Sequence, residues 1–119
     1  MKIGAVTGEH GAIVAARVMR PESAWERMRG LLGRPPLKPG EGMLLAPCAA
    51  VHTIGMGCPI DLVFLSRDGV ALKLAPRTPP FRIRAARGAD MTLELWAGAI
   101  SERRLAKGSR LRWAELSVC

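Results

Sequence analysis

Between residues 48 and 65 the chain reads CAAVHTIGMGCPIDLVFL, which places Cys48, His52, Met56 and Cys58 directly ahead of a Pro-Ile-Asp and an apolar run. Two kinds of chemistry could use such a set. Cys48, His52 and Met56 recur every four residues and Cys58 adds a thiol, a group of soft donors suited to copper(I) or zinc rather than magnesium or calcium. A mononuclear copper electron-transfer centre needs a second imidazole, and His10 is the only other histidine. No Cys-x-x-Cys or His-x-x-x-His pair accompanies them. The competing reading makes Cys48 a small buried hydrophobe and Met56 core filling.

The second chemistry is catalytic. His52 would act as a base oriented by Asp61, with Cys58 or Thr53 as nucleophile, because imidazole can take a thiol proton near neutral pH while a carboxylate holds its tautomer. No Gly-x-Ser-x-Gly elbow, phosphate-cradling glycine loop or paired acidic motif stands beside these residues. In the structural alternative, Asp61 caps a backbone turn after Pro59 and His52 satisfies a buried carbonyl.

The elements that must position this stretch are mostly short strands. KIGAV, a GEHG turn and AIVAARV read as a hairpin, and MLLAPC as a short strand. IDLVFL is apolar on both faces, and SRDG returns the chain as VALKLA, giving a hairpin from Ile60 to Ala75 whose first strand is buried on both sides. PRTPP is expected to leave the sheet, since proline gives no ladder donor. FRIRAAR and MTLELW alternate apolar with polar residues and predict strands with one wet face, with Arg82, Arg84, Thr92 and Glu94 on the wet side. SRLRWAELSV closes the chain as a last strand.

Helix is sparse. Ser23 and Glu26 form a capping box, Gly33 supplies a stop, and Trp25, Met28 and Leu32 share one face, which predicts a helix over about residues 24 to 32 resting its Trp25 side on the sheet. Removing Trp25 would then cost roughly 3 to 5 kcal/mol. RPPLKPGEG is a rigid loop, and a short helical turn is expected near 99–106, ended by Gly108. The pattern predicts a mainly β, α+β domain, a compact sandwich or barrel-like fold spanning residues 1–119. Ile60, Leu62, Phe64, Leu93, Leu95 and Trp25 are the expected core, and His52, Thr53 and Asp61 are expected to converge at one end of it.

Composition narrows the function classes. A chain of 119 residues with 49% hydrophobic content can build one modest core without staples. No secretory h-region follows Met1 and no run approaches the roughly 20 apolar residues of a membrane span, so a cytoplasmic protein with no membrane partner is expected. Three cysteines predict free thiols, with Cys119 incidental. The net charge of +8 attracts anionic partners. Arg82, Arg84 and Arg87 line one strand, and Arg103, Arg104, Lys107, Arg110 and Arg112 form a second cluster, so sequence-nonspecific nucleic-acid contact is a further alternative. Against it, single-strand binders stack bases on exposed aromatics, and the chain has no tyrosine, two phenylalanines and three tryptophans.

ERMRGLLGR, GEGMLL, HTIGMGCPIDLVFLSRDG and LELWAGAISERRLAKGSRL occur in this order. Together they resemble the domain of unknown function 192 family of small bacterial and archaeal domains, over about Ala16 to about Trp113. The resemblance implies a mostly β fold carrying one helix, and brings no established activity. It also implies a shared motif, His-Thr, two residues, Met, two residues, Pro-Ile-Asp, carried here by His52, Thr53, Met56, Pro59, Ile60 and Asp61. Relatives usually place bulky aromatic or basic residues inside this motif, where this chain has Ile54, Gly55, Gly57 and Cys58, and many relatives carry export signals. The expected function is a small ligand-binding or protein-interaction β-domain whose ligand residues are His52, Thr53, Met56, Pro59 and Asp61. No cofactor is expected, the partner is an unidentified small molecule or protein, and the enzyme and soft-metal readings stand as alternatives.

Overall fold

In the computed structural model, which describes residues 1–116, the apolar runs form nine strands. Lys2–Thr7 (β1) and Ile13–Arg20 (β2) pair antiparallel around a turn at Glu9–Gly11, as the Gly8 and Gly11 punctuation predicts. The chain then crosses over through a helix, Ala24–Arg29 (α1), before Glu41–Leu45 (β3) pairs parallel to β2. Ala50–His52 (β4) follows, then Ile60–Leu65 (β5), Ala71–Thr78 (β6), Ile83–Ala85 (β7) and Met91–Trp96 (β8). A short helix, Ala99–Glu102 (α2), precedes Arg112–Glu115 (β9). Seven strands make one sheet in the order β6-β5-β8-β3-β2-β1-β9, while β4 and β7 pair as a separate two-stranded sheet. The large sheet does not close into a barrel. The last strand is described only to its end at Glu115, and Ser117 to Cys119 lie outside the described residues, so Cys119 is too.

β5 is buried at all six positions, as its two-sided apolar pattern requires, so both faces of the sheet must be covered. Alternation sends Val63 and Leu65 to one face, where they pack with Leu44, Leu93 and Leu95. Ile60, Leu62 and Phe64 go to the other, against Met43, Leu45 and Leu31. Five of the six expected core residues are therefore core: Ile60, Leu62, Phe64, Leu93 and Leu95.

Trp25 is the exception, at 73% exposed, and Met28 is as open. The capping box forms as the sequence predicts, Ser23 accepting from the Glu26 amide at 3.1 Å, but the helix stops three residues early. Gly30 turns the chain at φ 52°, ψ −125°, so Leu32 never joins the stripe begun by Trp25 and Met28. Leu31, just past the turn, is the side chain that reaches the core. The short helical turn likewise ends at Glu102, before the expected 106.

Two strand readings also change. β6 continues through Pro76 to Thr78, because it is an edge strand and its pairing with β5 shifts register between Ile60 and Leu62. In FRIRAAR only three residues are strand, and Phe81 and Ile83, expected on a covered face, are 71% and 69% exposed. Their partner is the short β4 rather than the large sheet, and two isolated three-residue strands have no second layer to bury an outer face. Removing the Trp25 side chain should accordingly shift the urea midpoint of Trp25→Ala by the equivalent of less than about 0.5 kcal/mol, whereas a loss of several kcal/mol would mean the indole is buried.

Candidate functional site

β8 carries the residue that alternation misassigned. Leu93 and Leu95 face one core, so Thr92 and Glu94 face the other, and both are buried where a wet face was expected. The Thr92 hydroxyl is satisfied by donating to the Cys48 carbonyl at 3.1 Å. Glu94 is 6% exposed, and no hydrogen bond or ion pair holds its carboxyl among the described residues. Loss of water around it pushes its pKa from 4.5 up to about 7.

Above that carboxyl lies an open cavity of about 420 Å³. The α1 crossover forms one side, where the backbone turns so closely at Gly30 that a Cβ there would touch Glu94 Oε1 at 3.8 Å. Leu31 and Leu45 supply apolar wall, and the 48–56 segment brings Cys48, Val51, His52 and Met56 to the opposite side. Arg27 and Arg29 also line it from α1. The Arg29 Nε donates to the Leu32 carbonyl, which turns that side chain along its own segment.

Of the motif residues, the structure brings His52 and Met56 to this cavity, together with Cys48. It does not bring Thr53 or Asp61 with them, so the expected convergence of His52, Thr53 and Asp61 does not occur. Thr53 is buried, and its hydroxyl donates to the Pro79 carbonyl at 2.7 Å and accepts from the Arg82 amide at 2.9 Å. That pair of bonds ties the end of β4 to the approach of β7 and occupies the oxygen. Asp61 sits directly across the ladder from Leu95, on the opposite face from Glu94, which lies across from Leu62. Its carboxylate accepts from the amides of Arg77, Gly98 and Ile100 at 2.8, 3.2 and 2.7 Å. It thus holds the β6 bulge and the start of α2 together. It cannot orient His52 from there. Pro59 is exposed ahead of β5, and Cys58 lines a different hollow with Gly55 and Pro35.

His10 is exposed in the turn between β1 and β2, and among the described residues no cluster of three or more His, Cys, Asp or Glu side chains is arranged to hold a metal ion. Cys48 and Cys58 are free thiols, and the Cys48 Sγ donates to the Ala50 carbonyl at 3.2 Å. Part of the basic surface is engaged internally: Arg103 donates to the Val14 carbonyl and lies 5.2 Å from the Trp96 ring centre, and Arg20 lies 5.1 Å from that of Trp113. No helix is long and apolar enough to cross a membrane among the described residues.

The family model for DUF192, described as an uncharacterized ACR, matches residues 5–113. The chain belongs to the DUF192 family. No curated protein matches it. Among solved structures it is similar to a candidate transcription regulator from Sinorhizobium meliloti 1021, at 22% identity and a TM-score of 0.80, covering 94% of this chain and 92% of the other. It is also similar to a protein of unknown function from Novosphingobium aromaticivorans, at 24% identity and a TM-score of 0.77, covering 93% and 84%. These two likenesses share the fold. Within this DUF192 domain, the carboxyl at the base of the cavity comes from the LELWAG segment rather than from the His-Thr motif. A signal for it was present: a strand that pairs with the doubly buried IDLVFL has neighbours on both faces, so its polar positions are covered as well.

Two outcomes follow for the two buried acids. Asp61→Ala leaves three backbone donors without their acceptor and should cost at least about 3 kcal/mol in urea unfolding, a loss that a merely solvated acid would not produce. For Glu94 the folded pKa lies above the unfolded value, so its contribution is complete below about pH 4.5 and is lost as pH rises through about 7. A shift of that size corresponds to about 3 kcal/mol. Glu94→Gln should therefore match the wild type in stability at pH 4.5 and exceed it at pH 8, and parallel stability curves across this range would show the carboxyl to be hydrated.

Proposed function

We propose that this DUF192 domain is a binding module for a small ligand, and that the ligand occupies the cavity between the α1 crossover and the 48–56 segment. The observation that carries this reading is the combination of apolar wall and the carboxyl of the largely buried Glu94, which has no protein partner among the described residues, in a single concavity of about 420 Å³. Pockets for small molecules are built in this way, with hydrocarbon surface for affinity and a few polar groups for orientation. His52 and Met56 belong to the proposed site, with Leu31, Leu45, Val51 and Glu94. Thr53 supports it by tying the end of β4 to the Pro79–Arg82 connection, whereas Asp61 and Pro59 lie outside it.

A second reading has its own observation. Trp25, Met28, Phe81 and Ile83 are exposed, Met28 lines the cavity, and Ile83 is the ladder partner of His52. Apolar side chains at the margin of a concavity favour contact with another protein, with the cavity receiving one of its side chains.

Ala50 is exposed and lines the cavity, so a bulky side chain there fills space without disturbing the core. In amide NMR spectra, binding fragments from a small-molecule library should move the signals of Gly30, Leu45, Val51 and His52. Ala50→Trp should weaken those fragments by about tenfold or more while leaving the thermal midpoint close to that of the wild type. Fragment shifts clustered on another surface would refute the assignment of the site.

A further inference from the structure

Glu94 is a group that a fold has no need to keep. A Gln or Met of similar length would fill the position without the cost of an unpartnered acid, yet a carboxyl is aimed into a cavity whose walls are mainly hydrocarbon. An ionised carboxylate only accepts hydrogen bonds, and in surroundings poor in water it interacts strongly with an opposite charge. From this geometry we infer that the ligand is a small molecule carrying a protonated amine on an apolar body, with the ammonium group seated on Glu94 and the hydrocarbon against Leu31, Leu45, Val51 and Met56. The inference rests on the cavity being the binding site.

The groups that face the cavity beside Glu94 are Arg27 and Arg29 from α1, Cys48 from the segment before β4, and His52 from β4. Neither arginine forms an ion pair with Glu94 among the described residues; desolvation is the cause that sets its acidity. The acid is thus left for an incoming donor. An anionic ligand could meet the arginines but would bring like charge toward Glu94. A neutral ligand would gain the hydrocarbon contact and leave the carboxyl desolvated. An ammonium ligand draws Glu94 into its ionised form, so binding strengthens as pH rises through about 7.

The test uses three probes of one length, n-hexylamine, n-hexanol and hexanoate, titrated into the full chain and followed at the amides of Gly30, Leu45 and Val51. At pH 8 hexylamine should bind about tenfold or more tighter than hexanol, with hexanoate weakest, and Glu94→Gln should abolish the preference. On the wild type the hexylamine affinity should rise about tenfold or more between pH 5.5 and pH 8. That rise should persist in His52→Gln, which separates the imidazole proton from that of Glu94. The pH series on the wild type decides the matter even if Glu94→Gln does not fold. Equal binding of amine and alcohol, or tightest binding of hexanoate, with shifts still at the cavity, would overturn the cationic ligand and keep the cavity. If none of the three moves these amides, the cavity reading falls and this inference with it.

Discussion

A six-residue strand with every side chain buried needs a layer against each of its faces, and Ile60–Leu65 imposes that condition on the whole chain. Its partner β8 inherits the same demand. Once both central strands are covered, a polar residue they carry either finds partners within the protein or is left facing a cavity. α2 and its flanks cover one face, while the crossover, the 48–56 segment and the β4–β7 pair cover the other. The architecture and the candidate site are both consequences of where two acids, Asp61 and Glu94, emerge from these strands.

The two acids meet opposite fates. Asp61 emerges among free backbone amides at a bulge and a helix start, and three of them converge on it, so a buried charge becomes a clamp. Glu94 emerges beneath Gly30, where the nearby backbone offers it no donor among the described residues, so burial raises its pKa instead. Same chemistry, opposite faces: one carboxylate is spent on holding the fold, and the other is left open to a cavity. That asymmetry is why the site reading moves from the Pro-Ile-Asp motif to the LELWAG segment.

The motif that drew attention in the sequence is only partly a ligand surface. His52 and Met56 face the cavity, whereas Thr53 secures the Pro79–Arg82 connection to the end of β4. Adjacent residues at a strand end, His52 and Thr53, can thus have wholly different tasks, since successive side chains point in opposite directions. The glycines in the motif line the neighbouring hollow with Cys58, and Gly55, at φ +85°, lies so close to the Leu32 side chain that a Cβ there would approach within 2.9 Å.

Much of this was legible from local pattern. Alternation and turn residues located the main strands, Ser23 and Glu26 located the start of α1, and the doubly apolar IDLVFL identified the centre of the sheet with its core residues. Family membership was legible too, through motifs spread along the chain. These features depend on a residue and its near neighbours. Local pattern could not assign Trp25 to solvent, because that follows from the turn at Gly30 and from Leu31 taking the place against the sheet. Nor could it carry β6 through Pro76, place Asp61 and Glu94 on opposite faces, or open a cavity over the second. Periodicity gives the two sides of a strand, but only the packing of distant segments decides which side is wet, which acid finds donors, and which is left without them.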